Sequence, residues 1–210
     1  MKKPWIITLG REFCSGGLDV AIALSQRLGV PYYDRDLIDH AVELTNLSRE
    51  DVEANEERGE SPRRVLPYGR RWYRNDPELM LPVHMRIYQA QCEAIRHRAG
   101  EGSCIFVGRC ADFVLGECSQ VVNVLNVFVR AGMDFRTERA MKDYELPDAE
   151  ARKLILKTDK IRARYYNGHT GREWGSAGNY NLIVDTSVLG IDGAASVIEA
   201  ALKVVSKGQA

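Results

Sequence analysis

The sequence predicts an α/β domain built on a parallel sheet, and three observations carry this. An apolar, β-branched run at residues 5–9 leads directly into a glycine-rich turn and then into a helical period. Further buried-strand runs at 103–107, 121–129 and 182–187 alternate with stretches of helical period. Charged residues, Asp34 and Arg109 among them, fall at the carboxyl ends of these strands, where parallel sheets bind ligands.

The first strand, Trp5-Ile6-Ile7-Thr8-Leu9, is followed by Gly10-Arg11-Glu12-Phe13-Cys14-Ser15-Gly16-Gly17. Leu18, Ala21, Ile22, Leu24, Ser25 and Leu28 then recur at helical spacing. Strand, glycine turn and helix together aim backbone N–H groups and a helix N-terminus at an anion. Residues without Cβ let the backbone wrap closely round a phosphate. Against the pattern G-x-x-x-x-G-K-[ST], the leading glycine is Gly10 or a neighbour and the late one is Gly16. Gly17 stands at the lysine position, and the hydroxyl position falls near Leu18 or Asp19. The lysine and the magnesium-binding hydroxyl are therefore both missing from their usual places. A plain glycine-rich βα turn would read the same way from this stretch alone.

Gly29 sits where the first helix should be capped, and 30–33 reads as a short strand with Pro31 at its start. Asp34, Arg35 and Asp36 then become candidates for contacts to substrate or to a magnesium-bound water, while Asp34 can equally cap a helix over 35–44. Residues 46–60 read as an acidic, exposed helix that frays into a loop. Residues 61–82 carry Pro62, Pro67, Pro77 and Pro82, five arginines, and Tyr68, Trp72 and Tyr73. That composition suits a lid or binding loop, and suits a solvated loop or a homo-oligomer contact as well. Helical period returns over 82–99 and stops at Gly100 and Gly102. The strand at 103–107 ends in Gly108-Arg109, a position that favours a phosphate or base contact for the arginine.

In the run 121–129, Asn123 and Asn126 interrupt the strand, so its first half can be a turn. A helix over 134–144 carries Arg136, Arg139 and Lys142. Pro147 opens the next helix, which runs to 166. On it Lys157, Lys160 and Arg164 share one face, and Asp159 and Arg162 are spaced to pair. This is a solvated charged face or a set of cations that closes over phosphates. A glycine-rich loop is expected at 168–179, a last strand at 182–187, and an amphipathic helix over 194–205.

Composition narrows the function. The 210 residues suffice for one domain with a sizeable core, and 45% are apolar. Lys+Arg and Asp+Glu both number 29, which argues against general nucleic-acid binding. The five cysteines form no C-x-x-C pair and the four histidines no H-x-x-x-H, so a reduced cytoplasmic chain without a zinc site is expected. The first apolar run is too short for a signal peptide or a membrane span.

The ordered set of motifs resembles the cytidylate kinase-like family, a branch of the nucleoside monophosphate kinases. The stretches that carry it are Ile6 through Gly17, Val30 through Ile38, Phe106-Val107-Gly108-Arg109, Val127 through Arg139, Asp159 through Tyr166, and Asn179 through Ser187. The resemblance implies a three-layer P-loop NTPase-type fold with a five-stranded parallel sheet, one domain over 1–210. A helical and loop insertion on the acceptor side would occupy 45–100, and lid helices 133–166. It implies ATP and Mg2+, with a nucleoside monophosphate such as CMP or dCMP as acceptor, while the balanced charge and the short apolar run lead us to expect neither nucleic acid nor membrane as partner. Gly10, Ser15, Gly16 and Gly17 would bind the donor phosphates, with Arg136 and Arg139 at the lid entry. Arg109 would contact the acceptor. Asp159 and Arg162 match part of the family pattern R-D-x-x-D-x-x-R, whose first arginine falls at Ile155 here. Lys157 or Arg164 would take over that charge, and Asp34 and Arg35 would lie on the acceptor side. Arg11 is the nearest replacement for the loop lysine, Ser15 for the magnesium hydroxyl, and Asp34 for an outer carboxylate. An active kinase is one expectation, and a catalytically weak nucleotide-binding regulator is the alternative. Nucleic-acid binding through the 63–74 arginines is a third and weaker one.

Overall fold

The structure, a computed structural model, describes residues 4–34, 37, 42, 82–117 and 123–207. Five parallel strands form one sheet: β1 (Ile6–Arg11), β2 (Tyr32–Tyr33), β3 (Cys104–Val107), β4 (Val124–Arg130) and β5 (Leu182–Asp185), in the order β2-β3-β1-β4-β5. β1 lies in the middle, with Ile7 opposite Ile105 on one side and Leu125 on the other. A central strand is covered on both faces, which is why residues 6–9 are apolar almost without alternation.

The alternation of side chains divides the core into two. Ile7 and Leu9, with Ile105, Val107 and Val127, face α1 (Gly17–Leu28) and the helix that follows β5, through Val20, Leu24, Ala195 and Ile198. Ile6 and Phe106 face the opposite way, onto α2 (Val83–Glu101) and α3 (Ala111–Gly116), through Ile95, Val114 and Leu115. Two helical layers therefore enclose the sheet. α4 (Met133–Tyr144) and α5 (Asp148–Thr170) form a hairpin joined by Ala140, Ala151 and Ile155, with Phe13 and Cys14 of the glycine turn packed against it. The turn thus touches both the sheet and the helical hairpin.

Several expected boundaries move. The second strand shrinks to Tyr32–Tyr33, because Pro31 has no N–H for the ladder, although its carbonyl accepts from Ile105. β5 stops at Asp185. Thr186 instead opens α6 (Thr186–Lys207), which breaks at Gly190. Gly168 lies inside α5, which runs on to Thr170 and ends at Gly171, so the glycine-rich loop starts later than expected. α3 is a further short helix, set directly after the turn that ends β3. Of the helix expected at 35–44 only residues 37 and 42 are described, both of them helical, with Leu37 buried in the core beside Ile6 and Ile95. The helix expected at 46–60 and the segment 61–81 lie outside the described residues.

Candidate active site

The turn after β1 is shaped by two left-handed residues, Cys14 (φ 58°) and Gly16 (φ 77°). Gly16 is the N-cap of α1 and provides no side-chain cap. The first amides of α1, from Gly17, Leu18 and Asp19, have no acceptor within the helix by its geometry. Their partial positive charge, together with the helix dipole, makes this end an anion cradle. The Ser15 side chain does not open onto it. Its hydroxyl is fully buried and donates to the Glu12 carbonyl at 2.9 Å. Thr186, the first residue of α6, ties the same turn to the end of the sheet by donating to the Ser15 carbonyl at 2.5 Å.

Gly17 has a steric reason to be glycine. A Cβ there would lie 2.7 Å from Arg11 Cβ and 3.0 Å from Arg11 Cδ. The stem of Arg11 crosses the ground that a side chain at 17 would need. Its guanidinium pairs with Asp34 at the end of β2, with Nη2 3.1 and 3.3 Å from the two carboxylate oxygens. Arg162 of α5 donates to the Arg11 carbonyl at 3.1 Å and lies over the Phe13 ring. Beyond β3, Gly108, Arg109 and Cys110 all have positive φ, at 76°, 55° and 54°. Two consecutive non-glycine residues in this region cost on the order of 1–2 kcal/mol each. Such strain persists only where the surrounding structure over-determines the backbone.

A second group locks the turn to the helical hairpin. Arg136 of α4 is 5% exposed at its side chain and pairs with Glu12 at 3.2 Å. It also pairs with Asp159 of α5, and its Nε donates to the Phe13 carbonyl at 2.8 Å. Asp159 accepts from the Phe13 N–H at 2.8 Å, and Glu12 from the Ala131 N–H at 3.0 Å. Arg139 pairs with Asp19 in the first turn of α1 at 2.5 Å.

A cavity of about 120 Å³ opens beside the turn, between the ends of β1 and β3 and α5. Arg11, Arg109 and Arg162 line it, as do Tyr165, Tyr166, Trp174 and Tyr180. Asp112 of α3 also lines it and accepts from the Tyr166 hydroxyl at 2.6 Å. Burial pushes the Asp112 carboxyl above its ordinary range and also raises the Tyr166 and Tyr180 phenols. Behind the cavity, Tyr165 donates to Gln91 at 2.7 Å. His169 stacks on Tyr88 at 3.9 Å, where burial pushes it down to about 4.

The residues singled out from the sequence separate accordingly. Gly10, Arg11, Arg109 and Arg162 meet at the cavity, and Asp34 joins them through Arg11. Gly16 and Gly17 form the start of α1, and Arg136 and Asp159 hold the turn at Glu12 and Phe13. Lys157 and Arg164 are exposed on α5 and are not among the cavity's lining, and Arg35 lies outside the described residues. Glu12, Asp112, Tyr165, Tyr166, Trp174 and Tyr180 are not among the site residues that the sequence points to. A carboxylate inside an anion-binding turn was a usable signal for Glu12. For the aromatic wall, the adjacent Tyr165 and Tyr166 beside Arg162 were another.

The strand order, the glycine turn leaving the central strand and the uncapped helix after it define the P-loop kinase type of three-layer fold. A shikimate kinase from Bacteroides thetaiotaomicron shares it, with a TM-score of 0.56 at 13% identity over 95% of this chain and 98% of that one. An uncharacterized protein from Eubacterium ventriosum ATCC 27560 superposes with a TM-score of 0.69 at 24% identity, covering 95% of this chain and 98% of that one. The cytidylate kinase-like family matches residues 6–188, and the chain belongs to that family. The cytidylate kinase of Methanopyrus kandleri is 31% identical over 112 residues, 51% of this chain. The match spans 58% of that curated relative's length. Among the described residues no helix is long and apolar enough to cross a membrane, and no three His, Cys, Asp or Glu side chains cluster as a metal cage.

Proposed function

We propose that the chain transfers the γ-phosphoryl group of ATP to a nucleoside monophosphate of the CMP or dCMP kind, or to another small phosphate acceptor. The observation that carries this reading is the position of Arg11. It leaves the anion-binding turn, fills the space over Gly17 where a P-loop lysine would start, and reaches the cavity that also holds Arg109 and Arg162. Donor and acceptor phosphates repel each other, and a shared cation between their sites is what lets them approach in line. An acceptor phosphate oxygen attacks the γ-phosphorus as the bond to the β,γ-bridging oxygen breaks, releasing ADP. The acceptor is already anionic, so the chain supplies charge and position rather than a strong base.

In this reading the amides of the turn and of α1 bind the donor phosphates, with Gly10, Gly16 and Gly17 permitting the approach. Arg109 and Arg162 hold the acceptor phosphate, and the Tyr165, Tyr166, Trp174 and Tyr180 wall faces the rest of the acceptor. α4, carrying Arg136 and Arg139, and α5 form the lid that excludes water. Magnesium would neutralise charge across the donor phosphates, held by phosphate oxygens and water with Asp34 as an outer carboxylate. Ser15 does not fit as a direct ligand, because its hydroxyl is buried against the Glu12 carbonyl. The sequence would place this chemistry in the cytoplasm.

The second reading, a nucleotide-binding regulator with little turnover, is favoured by the Asp34 carboxylate already paired with Arg11. Phosphoryl transfer from ATP and magnesium across a panel of nucleoside monophosphates separates the two. Turnover on one or a few acceptors supports the kinase. Nucleotide binding without turnover supports the regulator.

A further inference from the structure

The Phe13 N–H belongs to the turn that the proposed function assigns to donor phosphates, yet here it donates to a carboxylate of the chain itself. Asp159 places one oxygen 2.8 Å from that nitrogen and gives the other to the Arg136 guanidinium. A backbone N–H and a guanidinium converging on one oxyanion is the ligand set that a phosphate group seeks. Arg136 does not depend on Asp159 for partners, since it also holds Glu12 and the Phe13 carbonyl. Removing the Asp159 carboxylate would leave a donor pair able to take another anion. A docked carboxylate and a polyphosphate at the same turn also repel each other.

We propose that Asp159 is an internal competitor for the donor polyphosphate: it occupies the Phe13 and Arg136 donors in the free protein and must leave them when the polyphosphate binds. The consequence extends to the acceptor side. Arg162 lies one turn further along α5 and donates to the Arg11 carbonyl, and both residues line the cavity. Release of Asp159 therefore shifts the segment that carries an acceptor-site cation, which couples donor binding to the shape of the cavity.

The proposal rests on the reading of the turn as the donor site, and the test separates the two. Inorganic pyrophosphate and ATP are titrated into the full chain, the Asp159→Ala variant and the Asp159→Asn variant by calorimetry, with the Phe13 amide followed by NMR. Both ligands are expected to bind Asp159→Ala about tenfold more tightly than the full chain, within the usual range of coupling between sites. Asp159→Asn, which keeps an acceptor for the amide but loses the charge, should fall between. In the unaltered chain the Phe13 amide signal should move on adding pyrophosphate. Equal or weaker binding by both variants, with the full chain binding normally, overturns the competitor and leaves the donor site standing. No binding of ATP or pyrophosphate to any of the three overturns the donor-site reading and the competitor with it.

Discussion

Replacing Gly17 by alanine tests the packing between Arg11 and the start of α1. Gly17 is not in the left-handed region, so an added methyl meets no backbone penalty of its own. What it meets is Arg11, with Cβ at 2.7 Å and Cδ at 3.0 Å, both inside normal contact. The Cδ can swing away, but the Cβ moves only with the end of β1. Overpacking of this kind costs about 1–3 kcal/mol. In a domain of this size that corresponds to a fall in Tm of roughly 2–12 °C, at about 2–4 °C per kcal/mol. The control is the same substitution in an Arg11→Gly background. There the clash is gone, and alanine's better helix propensity, worth up to about 1 kcal/mol, should make the change neutral or stabilising. Thermal melts of the four proteins form a double-mutant cycle. An equal loss in both backgrounds would refute Arg11 as the cause of the glycine at the lysine position.

Two other perturbations probe the surroundings of the site. Arg136→Met should lower stability by about 3–5 kcal/mol, because it leaves the Glu12 and Asp159 carboxylates beside the turn without their cation. Arg136→Lys should restore little of this, since an ammonium cannot reproduce three directed contacts, and denaturant melts would read both. His169 is held at about 4 against an ordinary 6.5, so the unfolded chain takes up its proton first as pH falls. Its contribution to stability is full above 6.5 and is lost on the way down to about 4. The Tm of the native chain should therefore drop across that window more steeply than that of His169→Phe, which keeps the stack on Tyr88.

The sheet was legible because its strands are buried on both faces and so read as unbroken apolar runs, as at 5–9 and 103–107. The turn was legible because glycine and the switch to helical period adjoin in sequence. The reason for Gly17 was not, since it depends on the path of the Arg11 side chain. Nor was the lock made by Glu12, Arg136 and Asp159, whose members are more than twenty residues apart and meet only when the hairpin folds back on the turn. Asp159 and Arg162 suited an i, i+3 pair on the helix surface, but tertiary partners stronger than a solvated pair are available to both. Gly168 reads as a helix breaker locally, and the packing of α5 over the cavity carries the helix past it.

The most direct test of the account is the rate of phosphoryl transfer by Arg11→Ala, on the best acceptor of the panel and with the variant's fold checked by its melt. The account predicts a fall in kcat of about 10²–10³, the scale of losing one preorganised contact to transition-state charge. A folded Arg11→Ala variant that turns over as fast as the unaltered chain would contradict the assignment of Arg11 as the cation between the two phosphates.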